Sequence, residues 1–119
     1  MLKVDIHSAP PMVTLYCSGR VTLGLEAETL RCITLARSER HVSLNLSEVH
    51  GLDAAGLGLL VELHQWAQQR SGRLSISNPS VPAQRVIALT RLDRVLHIVG
   101  ELAMADAAGE ANEWQTMTA

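Results

Sequence analysis

Phenylalanine is absent from this chain of 119 residues, and aromatic residues together make up only 3% of it. A core must therefore be built from Leu, Val, Ile and Ala. The hydrophobic share of 47% suits a packed globule rather than a disordered chain. An excess charge of one sign is lacking too. The formal net charge is −2, and no Lys/Arg cluster is dense enough to form the footprint of a nucleic-acid binder. No apolar run approaches the ~18 residues of a membrane span. The opening MLKVDIHSAP lacks the long apolar stretch of a secretory leader. Cys17 and Cys32 do not form a C-x-x-C pair; both stand among apolar neighbours and read as buried thiols of a reducing compartment. These absences lead us to expect a cytoplasmic protein with no membrane insertion and no nucleic-acid partner.

The motifs of catalysis and cofactor binding are missing as well. GLDAAGLG, residues 51–58, has two glycines but neither the lysine nor the hydroxyl of a phosphate loop, and it is not G-x-G-x-x-G. The five histidines (His7, His41, His50, His64, His97) supply no close ligand pair, so no metal site is expected. No Ser-His-Asp arrangement stands out. The chain reads as a non-enzyme with no cofactor.

What is present is clear periodicity. Leu2, Val4 and Ile6 alternate with Lys3, Asp5 and His7, the pattern of a half-buried strand. After Ala9-Pro10-Pro11, Val13, Leu15 and Cys17 alternate in a second strand ending at Gly19. The short break implies an antiparallel hairpin, although two prolines are unusual hairpin chemistry. From Leu23 to Arg37 the period changes: Leu23, Ala27, Leu30 and Ile33 fall on one helical face, with Glu26 and Glu28 near the start. HVSLNLSEV, residues 41–49, is a third strand. Residues 57–70 form a second helix whose face carries Leu59, Leu60, Leu63, Trp66 and Ala67, widened by Leu57 and Val61. RLSIS at 73–77, a helix at 81–92 with Pro82 in its first turn, and a short strand VLHIV at 95–99 complete the pattern. The order β-β-α-β-α-β-α-β implies an α/β fold: one domain over residues 1–99, with a mixed sheet of four to five strands. Residues 100–119 read as a tail, with a short helix from Glu101 to Ala108 and a frayed end from Gly109.

One junction carries the functional signal. VHGLDAAGLGLL, residues 49–60, sets Asp53 before small residues at a helix start. The Asp53 carboxylate can accept the N–H of Ala55 or Gly56, and capping alone accounts for an acid there. A strand-loop-helix junction is also where such sheets display ligand or partner sites. Gly56 and Gly58 permit close approach, either of a partner to the helix or of the helix to the sheet.

Three stretches then resemble the STAS family, the anti-sigma-factor antagonists and their relatives. LNLSEVHGLDAAGLGLLVELHQ resembles the family's strand followed by its D-S-[ST]-G-L-G-x-L signature. CSGRVT resembles the segment that ends in Gly-Glu, and NPSVPAQRVIALTRLDRVLHIV resembles the last helix and strand. The resemblance spans Leu2 to Val99. It implies helices packed mainly on one face of the sheet, and a protein-binding module that docks on an anti-sigma factor or kinase-like partner. Other branches serve stress-signalling complexes or act as accessory subunits of lipid-transport ATPases.

The resemblance assigns partner binding to Asp53, Ala54, Ala55, Gly56, Leu57, Gly58 and Arg20. The family's phosphoacceptor serine falls on Ala54 and the next hydroxyl position on Ala55, so neither can take a phosphate. Ser47, upstream in the same loop, is the weaker alternative acceptor. Arg20 stands where the family carries an acid, Asn45 where Asp is common, and Arg91 where Gly often ends the last helix. A phosphate at this helix start would add nearly two negative charges beside Asp53 and disrupt a packed interface. With Ala54 that switch is missing.

Overall fold

The computed structural model describes residues 1–99. The expected tail, residues 100–119, lies outside them. The described chain runs β1 (Leu2–Ala9), β2 (Met12–Val21), α1 (Leu25–Leu35), β3 (His41–Leu52), α2 (Ala54–Gln69), β4 (Arg73–Ser77), α3 (Val81–Leu89), a 3-10 turn (Leu92–Arg94) and β5 (His97–Val99). The sheet order is β1-β2-β3-β4-β5, with β1 antiparallel to β2 and every later pair parallel. The predicted mixed α/β sheet therefore has five strands.

The hairpin closes with Ala9 opposite Met12 and a cis Pro10–Pro11 bond between them.

Topology explains where the helices lie. Each parallel crossover steps the same way along the sheet, and right-handed crossovers that all step one way put their helices over one face. The residues agree. Val13, Val42 and Leu74 stand in one cross-strand row, and Leu15, Leu44, Ile76 and Ile98 in the next, all at most 1% exposed. They join Leu30 of α1, Leu57, Leu60 and Leu63 of α2, and Ile87 of α3 in one core cluster. The opposite face is polar, with Lys3, Asp5, Thr14, Tyr16, Ser43, Asn45 and Ser75. Burying a Leu or Ile side chain contributes roughly 1.5–3 kcal/mol, so these rows carry most of the driving force.

β3 is longer than expected, reaching Leu52 rather than Val49, because it carries two bulges. Tyr16 and Ser18 pair with Asn45 and Glu48, and Gly19 and Arg20 with Val49 and Gly51. Each shift inserts one residue into β3. The core positions of β3 accordingly change from a spacing of two (Val42, Leu44, Leu46) to three (Leu46, Val49, Leu52). β4 pairs only with His41–Asn45, leaving the later carbonyls of β3 unpaired on that side. Ser80 takes their place: its N–H donates to the Leu46 carbonyl at 3.1 Å and its hydroxyl to the Val49 carbonyl. Ser80 also caps α3, accepting the Ala83 N–H.

Other expectations need correction. Leu23 is not on the α1 face; it precedes the helix and is 78% exposed, and Thr34 joins Leu30 inside. Cys17 is buried, but Cys32 lies exposed on α1. α3 stops at Leu89, with Arg91 beyond it in the left-handed conformation at φ 61°. That backbone explains why Gly is common there, since a side chain in this region costs about 1–2 kcal/mol. No helix among the described residues is long and apolar enough to cross a membrane.

Candidate functional site

Asp53 sits between β3 and α2 in extended conformation, at φ −107° and ψ −173°. Its Oδ1 accepts the Gly56 N–H at 2.8 Å, the cap expected from the sequence. Its Oδ2 accepts the Leu23 N–H at 2.9 Å. One carboxylate thus ties the β2–α1 loop to the first turn of α2. The Leu23 N–H first, then the Gly56 N–H, hold the carboxyl below its ordinary value, because both bonds favour the charged form.

The two glycines divide the roles left open above. A Cβ on Gly56 would fall 2.2 Å from the Val21 carbonyl oxygen and 2.7 Å from Leu52 Cδ1. Gly56 is buried and lets α2 close onto the end of β2. Gly58 is exposed, and a Cβ there would meet nothing within 4 Å. Its lack of a side chain serves no contact within the described residues. A glycine in mid-helix is nevertheless about 1 kcal/mol worse than alanine.

The seven residues assigned from the sequence do not all share one surface. Ala54 and Gly58 are exposed on α2, and Ala55 and Asp53 are half-buried. Gly56 and Leu57 are buried; Leu57, 6% exposed, belongs to the core. Arg20 is exposed on β2 opposite Gly51, beside the junction. Leu23 and Leu25, 78% and 80% exposed, are surface residues of the region that the sequence reading missed. Gly24, at φ 102°, separates them and starts α1 without a side-chain cap. The signal for Leu23 was a hydrophobic residue in front of a glycine, outside the helix proper.

Ser47 is not in the loop with Asp53. It lies six positions earlier, at the first bulge of β3, and is exposed. Asn45 Oδ1 accepts both its N–H, at 3.0 Å, and its hydroxyl, at 2.7 Å. Among the described residues, no three of His, Cys, Asp and Glu gather closely enough to hold a metal ion.

The chain is 28% identical over 71 residues to a Thermotoga maritima protein named as an anti-sigma factor antagonist; the match takes in 60% of this chain and 63% of that protein. The structure resembles an anti-sigma factor antagonist from Mycobacterium paratuberculosis, with a TM-score of 0.72 and 18% identity over 95% of this chain and 92% of the other. It likewise resembles the anti-sigma factor antagonist SpoIIAA in its unphosphorylated form, with a TM-score of 0.69 and 15% identity over 96% of each chain. The STAS domain profile matches residues 3–105. With this match over most of its length, a five-stranded sheet covered by helices and an Asp-capped α2, the chain belongs to the STAS domain family.

Proposed function

We propose that this chain is an anti-sigma-factor antagonist that docks on an anti-sigma factor of the kinase-like type, in the cytoplasm, through the surface around Asp53. The observation that carries this reading is the bare strip of α2. Ala54 and Gly58 are exposed one helical turn apart, and Gly58 has no contact of its own to serve. Exposed Leu23 is tied to the start of the strip through Asp53, and exposed Leu25 follows it two residues on, at the start of α1. A helix surface stripped of side chains lets another backbone approach closely, and exposed leucines beside it supply apolar area for an interface core. The names of the relatives point the same way.

The usual regulatory phosphate has no acceptor here, since residues 54 and 55 are both alanine. We infer an antagonist that is always competent to bind, unless another residue is modified. Ser47 is the test case: its hydroxyl is exposed, although it is engaged by Asn45.

Affinity capture from the native cell supplies the partner. Titration of that partner with Ala54→Asp should then weaken binding at least tenfold, because the change places a charge on the docking strip. Unchanged affinity refutes the surface. Incubation with the partner and ATP should leave this chain unphosphorylated; stoichiometric phosphate at Ser47 refutes the switchless reading.

A further inference from the structure

Beside the Asp53 junction lies an open cavity of about 390 Å³ lined by Met1, Lys3, Ser18, Gly19, Arg20 and His50. Its construction is specific. Arg20 stands opposite Gly51 in the sheet, and its side chain lies over that glycine: a Cβ on Gly51 would come within 3.0 Å of Arg20 Nε and 3.2 Å of its Cγ. The missing side chain gives the guanidinium stem a flat floor. His50 is the extra residue of the second bulge, so it has no partner in β2 and is exposed. Bulges commonly re-aim side chains at binding sites.

Lys3 and Arg20 are exposed and enter no ion pair within 4 Å among the described residues. The acids at the border are Glu26 of α1 and Glu48 of β3. Glu26 is held low by its own backbone N–H first and then by the Met1 ammonium, which pairs with it at 3.4 Å, while Arg20 adds less. Two cations outside any ion pair thus line a cavity that shares Met1 with a second hollow, lined by Met1, Leu2, Leu25, Glu26 and Thr29, in which Leu25, the exposed first residue of α1, supplies apolar surface. Two charges are far fewer than a nucleic-acid interface uses. Cations set beside apolar residues instead complement a protein segment that mixes acidic and apolar side chains.

We propose that Arg20 and Lys3, on the shelf made by Gly51, select a partner whose docking segment carries carboxylates next to its apolar contacts. This rests on the docking surface proposed above and adds the chemistry of the segment that meets it. Arg20 is the specificity-determining residue, and Lys3 supports it.

The test uses the full chain labelled with nitrogen-15 and two synthetic peptides, Asp-Leu-Glu-Leu-Asp and Lys-Leu-Lys-Leu-Lys, both with blocked ends. The acidic peptide should shift the amide resonances of Lys3, Arg20, Leu23, Leu25 and His50 in a saturable way, and the basic peptide should not. Arg20→Glu should reverse the preference, and Gly51→Ala, which lifts Arg20 from its floor, should weaken it severalfold. Equal response to both peptides, no response, or the same shifts with a short oligothymidylate overturns the proposal. A second arm separates this from failure of the docking reading. If the captured partner is lost by Ala54→Asp yet binds Arg20→Glu as tightly as the wild type, the surface stands and the charge selection falls. If Ala54→Asp changes nothing, the docking reading falls, and the peptide preference still decides the shelf.

Discussion

Replacing Gly58 with alanine should stabilise this protein, while the same change two residues earlier should damage it. At Gly58 the new methyl group meets nothing within 4 Å. Only the helix propensity changes, in favour of alanine by about 0.8–1 kcal/mol. For a domain near 100 residues this raises Tm by about 4 °C or slightly more. At Gly56 the same propensity gain is available, but the methyl lands 2.2 Å from the Val21 carbonyl oxygen. That oxygen is backbone and cannot rotate away, so α2 must retreat by about 1 Å, which opens the packing of Leu57 and Leu60; overpacking of this kind costs roughly 1–3 kcal/mol or more. The net expectation is destabilisation by about 1–2 kcal/mol. Urea unfolding of the two variants measures both effects, with the midpoint moving in opposite directions and the slope unchanged. A Gly58→Ala protein no more stable than wild type would refute the claim that this glycine has no role inside the fold. Its role in docking is then read separately: the stabilised variant should bind the partner less tightly.

Asp53→Ala removes both the α2 cap and the tether to Leu23, and should cost about 1–2 kcal/mol. Amide exchange should quicken at Leu23 and Gly56 together; protection lost only at Gly56 would argue against the tether. Glu39, with 6% of its side chain exposed, is paired with Arg37 at 2.7 Å and accepts the Ser8 hydroxyl. The Arg37 bond first, then Ser8, lowers its carboxyl from 4.5 to about 2. The folded state therefore binds this proton less readily than the unfolded one, so the stabilisation is complete above about pH 4.5 and disappears as pH falls through about 2. Tm measured from pH 5 to pH 2 should fall less steeply in Glu39→Gln than in wild type; parallel curves would refute the role of Glu39. Burial pushes the Cys17 thiol up to about 12, whereas Cys32 is exposed. A thiol reagent on the native protein should therefore modify one cysteine, and Cys32→Ser should abolish that rapid reaction.

The parts of this molecule that were legible in the sequence are those set by local period. Leu2, Val4 and Ile6 announce β1, and Leu59, Leu60, Leu63 and Ala67 announce the buried side of α2. Asp53 was readable as a cap because capping acts over three residues. Its second bond, to Leu23, joins positions 30 apart and leaves no trace in local spacing. Leu23 looked like a helix face because its distance from Ala27 fits a turn, yet helix α1 begins only at Leu25. Cys32 shared an apolar neighbourhood in sequence but lies on the outer side of α1, where Glu28 is one turn away. The end of β3 was missed for another reason. Its bulges change the spacing of Leu46, Val49 and Leu52 to three, which no longer reads as a strand.

Those bulges also give the strand a tolerance in length. Twelve residues of β3 run beside the ten of β2, so two of the twelve are surplus to the pairing. Ser47 and His50 stand at the two bulges, and both side chains are exposed. Loss of Ser47 would leave Leu46, Glu48 and Val49 alternating regularly, with Glu48 still opposite Ser18 and Val49 opposite Gly19. Loss of His50 would do the same for Val49, Gly51 and Leu52, with Gly51 still opposite Arg20 and Leu52 opposite Val21. In either case Leu52 keeps its side of the sheet, and what goes is the local bend and twist that a bulge gives its strand. A related sequence one or two residues shorter between Leu46 and Asp53 thus still fits this sheet, with its gaps falling at positions 47 and 50.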